Sequence, residues 1–196
     1  MITRLPVLLA ATVFVSGVTA LPAHSNDFEP QIRSAFEQQI EPWLSDPRVI
    51  DAIRAQNSEH SSMTSAQIDS LDQQWRSEVD SGGGPLVERV MNTDLSGFLS
   101  DKKGEAGELI TEMFVMDNQG LNVGQSDVTS DYMQGDEAKW QKTYGEGPGA
   151  VFVDEVEFDD STETFQSQVS GTIIDPETGE AIGAITIGIN LEALAS

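Results

Sequence analysis

The hydrophobic period of this chain changes once, near residue 109, and that change limits the folds open to it. Before it, apolar residues recur at helical spacing. Phe28, Ile32, Phe36 and Ile40 come every four residues, with Ala35 and Trp43 widening the stripe over 27–57. Pro42 is expected to kink or end this first helix. Asp46 and Pro47 then make an N-cap and N1 pair for a second, whose apolar face is Val49, Ile50 and Ile53. Thr64 and Gln67 have capping-box spacing ahead of a third stripe, Ile68, Leu71, Trp75 and Val79. The run from Ser81 to Pro85 breaks it, and one further helix is expected over 86–99.

After residue 109 the period falls to two. Segments 109–117, 121–125, 150–158, 164–174 and 181–191 read as strands, separated by turn-forming clusters such as Asp117-Asn118-Gln119-Gly120 and Asp175-Pro176-Glu177-Thr178-Gly179. Between the second and third strands lies a longer excursion, 126–149, with a short helix expected over 136–144. Helices first and hairpin-connected strands afterwards predict an α+β domain, with a helical lead-in packed on an antiparallel sheet of about five strands.

The N-terminus adds a targeting reading. One cation, Arg4, precedes an apolar run from Leu5 to Val15 and small residues up to Ala20 and Ala23, the three parts of a secretory signal peptide. The expected organisation is a signal at 1–23, a helical segment at 24–104 and the sheet with its excursion at 105–196, the last two forming one domain. Removing 23 of the 196 residues leaves 173, enough for a single core, and takes the formal charge from −23 to −24. Such a charge repels nucleic acid, whose binding depends on Lys and Arg at phosphates. No later stretch reaches transmembrane length, so no stable membrane insertion is expected after cleavage. The chain has no cysteine, which rules out disulfides, thiol chemistry and an N-terminal lipid anchor.

Catalytic schemes fail on inventory. The two histidines are His24, beside the cleavage region, and His60, in a polar connection, which supports neither a Ser-His-Asp triad nor a zinc site. No enzyme activity and no cofactor are expected. The excursion draws more notice, because it holds Tyr132, Trp140 and Tyr144 together with Lys139 and Lys142. On a helix Asp136, Trp140 and Tyr144 share a face. Aromatics with a few polar groups in a long loop suit a small-ligand pocket, and they suit equally a lid helix packed on the sheet. In the third strand, alternation puts Asp154 in a row with Phe152, Val156 and Phe158, where an unpaired carboxylate is costly.

Residues 109–191 resemble the extracytoplasmic Cache sensor family, also called PDC or PAS-like. The likeness is carried by Met113-Phe114-Val115-Met116-Asp117, the turn at Gly120, the excursion from Ser130-Asp131-Tyr132 to Trp140, and the hairpin at Asp175-Pro176 leading into Ile182-Gly183 and Ile187-Gly188-Ile189. The lead-in containing Leu71-Asp72 and Trp75-Arg76 is similar to that family's long helical segment. The resemblance implies a periplasmic or secreted module that binds a small polar metabolite, an amine or a carboxylate, between the sheet and the excursion. By position it implies Tyr132, Trp140, Tyr144 and Asp154 as pocket residues, with Asp127 and Lys142 at the edge. No arginine follows Arg89, whereas many amino-acid-binding members use one for the ligand carboxylate, which argues against an amino acid. Aromatics with carboxylates favour a cationic amine, while Lys142 would suit a carboxylate. A membrane receptor or kinase partner would be needed to report binding. The alternative is a periplasmic interaction protein that docks on a receptor or envelope component without a small-molecule ligand.

Overall fold

A computed structural model describes residues 26–159 and 163–196. The expected signal segment, His24 and the centre of the turn at 160–162 lie outside the described residues. Helix α1 (Glu29–Ala35) runs into a π-helical turn at Phe36–Ile40 and a 3-10 turn at Glu41–Trp43. Pro42 causes the ending, because it brings no N–H to continue the ladder. Asp46 then caps α2 (Pro47–His60), its carboxylate accepting the Arg48 N–H at 2.9 Å. Gln67 accepts the main-chain N–H of Thr64 at 2.9 Å at the start of α3 (Ser65–Asp80).

The single helix expected over 86–99 is two. Helix α4 (Pro85–Met91) stops at Asn92, and Thr93 starts α5 (Asp94–Ala106) by accepting the Ser96 N–H at 3.1 Å. A threonine followed by an acidic residue is a good N-cap, and here that local preference outweighs the continuous apolar stripe.

The strands are β1 (Ile110–Met116), β2 (Asn122–Gln125), β3 (Val151–Asp159), β4 (Thr164–Ile174) and β5 (Ala181–Asn190). They form one antiparallel sheet in the order β2-β1-β5-β4-β3, so the α+β class and the five strands agree with the sequence reading. Between β2 and β3 the expected helix over 136–144 is only the single turn α6 (Ala138–Gln141), and α7 (Leu191–Leu194) follows β5.

One sheet face is packed by helices. Ile32, Phe36, Ile50, Ile53, Leu95 and Leu99 meet Met113, Val115, Val169, Ile173, Ile185 and Ile187 in the main core. Gly171 admits the Phe36 ring here, since a side chain at that position would overlap it. Helices α3 and α4 build a second cluster around Trp75, which is 0% exposed, with Leu86, Val87, Val90 and Leu121.

The opposite face carries the alternate residues. By register Glu112, Gly188 and Gln168 form one cross-strand row, and Phe114, Thr186, Ser170 and Phe152 form the next. The excursion lies over this face.

Candidate functional site

The excursion is fixed to the domain by backbone contacts that leave little slack. Met133 bridges to Leu121, the Asn122 N–H donates to the Tyr132 carbonyl at 3.0 Å, and the Gln134 N–H donates to the Gly120 carbonyl at 2.7 Å. Gly120, at φ +81°, and Gly135 pass so closely that a Cβ on Gly120 would collide with the other's backbone. From the helical side, Asp72 of α3 accepts the Tyr132 and Met133 N–H groups, both at 3.0 Å. Trp75 donates its indole N–H to the Thr129 carbonyl at 2.8 Å.

Held this way, the excursion roofs a cavity of about 330 Å³ over the open face of the sheet. The floor is Glu112 and Phe114 of β1 with Gln168 of β4. The roof includes Thr129, Asp131, Gln134, Glu137 and Lys139. This is the lower end of the volume range typical of small-molecule sites, about 300 to 1,000 Å³.

The charges are unevenly satisfied. Lys139 pairs with Glu137 at 2.9 Å and lies 5.3 Å over the Phe114 ring, and Asp131 pairs with Arg76 at 3.1 Å. Glu112 has no cation within ion-pair distance among the described residues; Gln168 donates to it at 2.8 Å. Burial pushes the Glu112 carboxyl above its ordinary value, partly opposed by the Gln168 bond and the Lys139 charge. With Glu112, Asp131 and Glu137 set against Lys139 alone, the lining is acidic.

The six residues expected at a pocket separate into groups. Trp140 and Tyr144 pack together, ring centroids 5.0 Å apart, on Phe114, Met116 and Ala184 of the open face. They brace the floor from beside the cavity, and Trp140 donates its indole N–H to the Asp117 carbonyl at 3.1 Å. Asp136 is exposed outside α6, so the expected three-residue face does not form. Lys142 sits on the same side of the sheet, 4.3 Å over the Phe152 ring.

Tyr132 lies elsewhere. Its ring is buried among the helices, stacked on Trp75 at 5.4 Å, and burial pushes its hydroxyl up to about 12. Asp127 pairs with Lys103 at 2.6 Å. Asp154 falls in a β-bulge between Val153 and Val156, where its carboxylate accepts the Glu155 N–H at 2.9 Å. The bulge moves Val156 and Phe158 to the helical side, so the apolar row expected around Asp154 does not exist.

Sequence reasoning passed over Glu112, Phe114 and Gln168. The signal was present in β1, where alternation puts Glu112 in one row with Phe114 and Met116.

Among solved structures the chain is similar, at low identity, to sensor and ligand-binding domains. The sensor domain of the histidine kinase DctB from V. cholerae aligns with 85% of this chain at 15% identity and a TM-score of 0.47. The ligand-binding domain of the chemoreceptor Tlp3 from Campylobacter jejuni, in complex with L-valine, covers 85% at 14% identity and 0.39. That of CtaA from Pseudomonas fluorescens, in complex with L-valine, covers 78% at 12% and 0.38. The chain spans 53%, 64% and 62% of those three chains in turn. No protein-family model and no curated protein matches it. At these scores the cavity's own residues, not the likenesses, bear on function.

Proposed function

We propose that this protein is an exported, non-enzymatic ligand-binding module of Cache type that takes a small amine-bearing metabolite into the cavity between the open sheet face and the excursion. The observation that carries this reading is Glu112, a half-buried carboxylate hydrogen-bonded to a neutral amide and lacking a cation. A partly desolvated acid in that condition gains from a ligand ammonium, which supplies both the missing charge and strong hydrogen bonds. The Phe114 ring beside it adds apolar floor, with Lys139 already over its face.

The rest of the lining supports recognition over chemistry. No histidine lines the cavity, and two of its three acids already hold cations. Release to the periplasm or medium is the matching location, and among the described residues no helix is long and apolar enough to cross a membrane. A membrane receptor or kinase would be the partner that reads the bound state, through the excursion and the α3 residues that hold it.

The test is a thermal-shift panel of ethylamine, ethanolamine and 1,4-diaminobutane against acetate and succinate, each compared with sodium chloride at equal ionic strength. Binding to the native state alone stabilises by about 2.7 kcal/mol at a hundredfold excess over Kd. The amines should raise the melting temperature saturably, and Glu112→Gln should remove the rise. Amines that act no differently from sodium chloride would refute the assignment.

A further inference from the structure

A second cavity, also about 330 Å³, lies on the other side of the sheet among the helices, and its lining balances one cation, Arg89, against one acid, Glu59. Helix α2 presents Ala52, Ala55, Gln56, Glu59 and His60 along one face, at spacings of one and three. Alanine at 52 and 55 is too small to fill the space towards α4. The gap that remains is closed by Arg89 and Val90 of α4, with Val123 of β2 and Tyr132.

Arg89 is unusual in this molecule. Arg33, Arg48, Arg54 and Arg76 each have a carboxylate oxygen within 3 Å: on Glu29, Asp46, Asp175 and Asp72. Among the described residues Arg89 has no ion pair, in a chain where 33 acids face 10 Lys and Arg. Beside it the Tyr132 hydroxyl, kept protonated by burial, accepts from Arg89 and retains its own O–H as a second donor.

His60 completes the wall without competing for the same ligand atoms. Its Nδ1 is 2.9 Å from Asp117 Oδ2, which also accepts from Gln56 at 3.0 Å. Apolar surface comes from Ala52, Ala55, Val90 and Val123. Glu59 at the rim repels a second negative charge.

We infer that this cavity is a separate binding site for a small monocarboxylate with a short alkyl chain. Arg89 takes the carboxylate, which accepts bidentate N–H bonds from a guanidinium. The Tyr132 O–H adds a third bond, and the alkyl part covers the alanine and valine surface. The site shares no lining residue with the amine cavity, so either assignment can fail without the other.

Calorimetric titration with propionate and butyrate, with sodium chloride as the ionic control, tests it. Saturable binding should weaken about tenfold or more in Arg89→Gln, because a charge-assisted pair is lost. Arg89 is exposed and bears no structural ion pair, so that variant keeps its fold. Ala55→Leu, which fills the cavity, should also block binding, whereas Glu112→Gln should leave it intact. Absence of saturable binding, binding unchanged in Arg89→Gln, or binding lost in Glu112→Gln would each overturn the proposal. So would an ethylamine that binds here and is lost on Glu59→Gln.

Discussion

Gln168 donates its side-chain N–H to Glu112 at 2.8 Å across Gly188, the residue that pairs with both. A side chain at Gly188 would crowd Glu112 and Thr111, so glycine keeps this contact open. The half-buried carboxylate thus sits beside an amide that can donate a hydrogen bond and cannot neutralise it.

That arrangement sets a pH dependence. The folded-state pKa of Glu112 is raised, so the folded chain holds this proton where the unfolded chain has released it. Stability from this group is therefore full below the ordinary glutamate value of about 4.5 and is lost as pH rises through the raised one. Melting temperature measured from pH 4 to 8 should decline less with rising pH in Glu112→Gln than in the parent. Affinity for an amine runs the other way, weakening as pH falls and Glu112 protonates.

Asp175 at the β4–β5 turn has the opposite sign. Arg54 grips it with two bonds of 2.7 and 2.6 Å, and with help from the Glu177 and Thr178 N–H groups holds its carboxyl at about 2, below 3.8. This stability is present above the unfolded value and is lost as pH falls from about 3.8 towards 2. Arg54→Gln should therefore move the acid-unfolding midpoint, followed by circular dichroism, to higher pH.

Trp75 joins α3 to the excursion through stacking on Tyr132 and through its bond to Thr129. Trp75→Ala should cost roughly 3 to 5 kcal/mol in denaturant unfolding, as for other large core aromatics. An exposed aromatic would cost less than about 0.5 kcal/mol.

Asp72 gives the same junction a polar anchor. Its Oδ1 serves two excursion N–H groups and its Oδ2 holds Arg76 at 2.8 Å. Asp72→Ala leaves the Tyr132 and Met133 amides unpaired and should cost about 1 to 3 kcal/mol. Hydrogen exchange should locate the loosening at residues 129–135. An amine in the cavity should slow exchange in the parent at those residues and in α3 together.

Much of the fold was legible because its signals are local. The change of period near 109, the Asp46-Pro47 cap and the Asp175 turn each act over a few residues and appear where expected. The site was less legible because it depends on contacts distant in sequence. Whether Tyr132 faces the sheet or the helices is decided by the Leu121–Met133 bridge and by Trp75, and neither is visible in the excursion's own composition. Asp154 was misplaced by a bulge that strict alternation does not anticipate. The same alternation, applied to β1, would have singled out Glu112.

The central claim is that Glu112 binds a ligand cation, and titration calorimetry of ethylamine and 1,4-diaminobutane into the parent and Glu112→Gln tests it most directly. The account predicts saturable binding to the parent and a loss of about tenfold or more in the variant, the worth of a charge-assisted hydrogen bond. Equal affinity in the two proteins would contradict it.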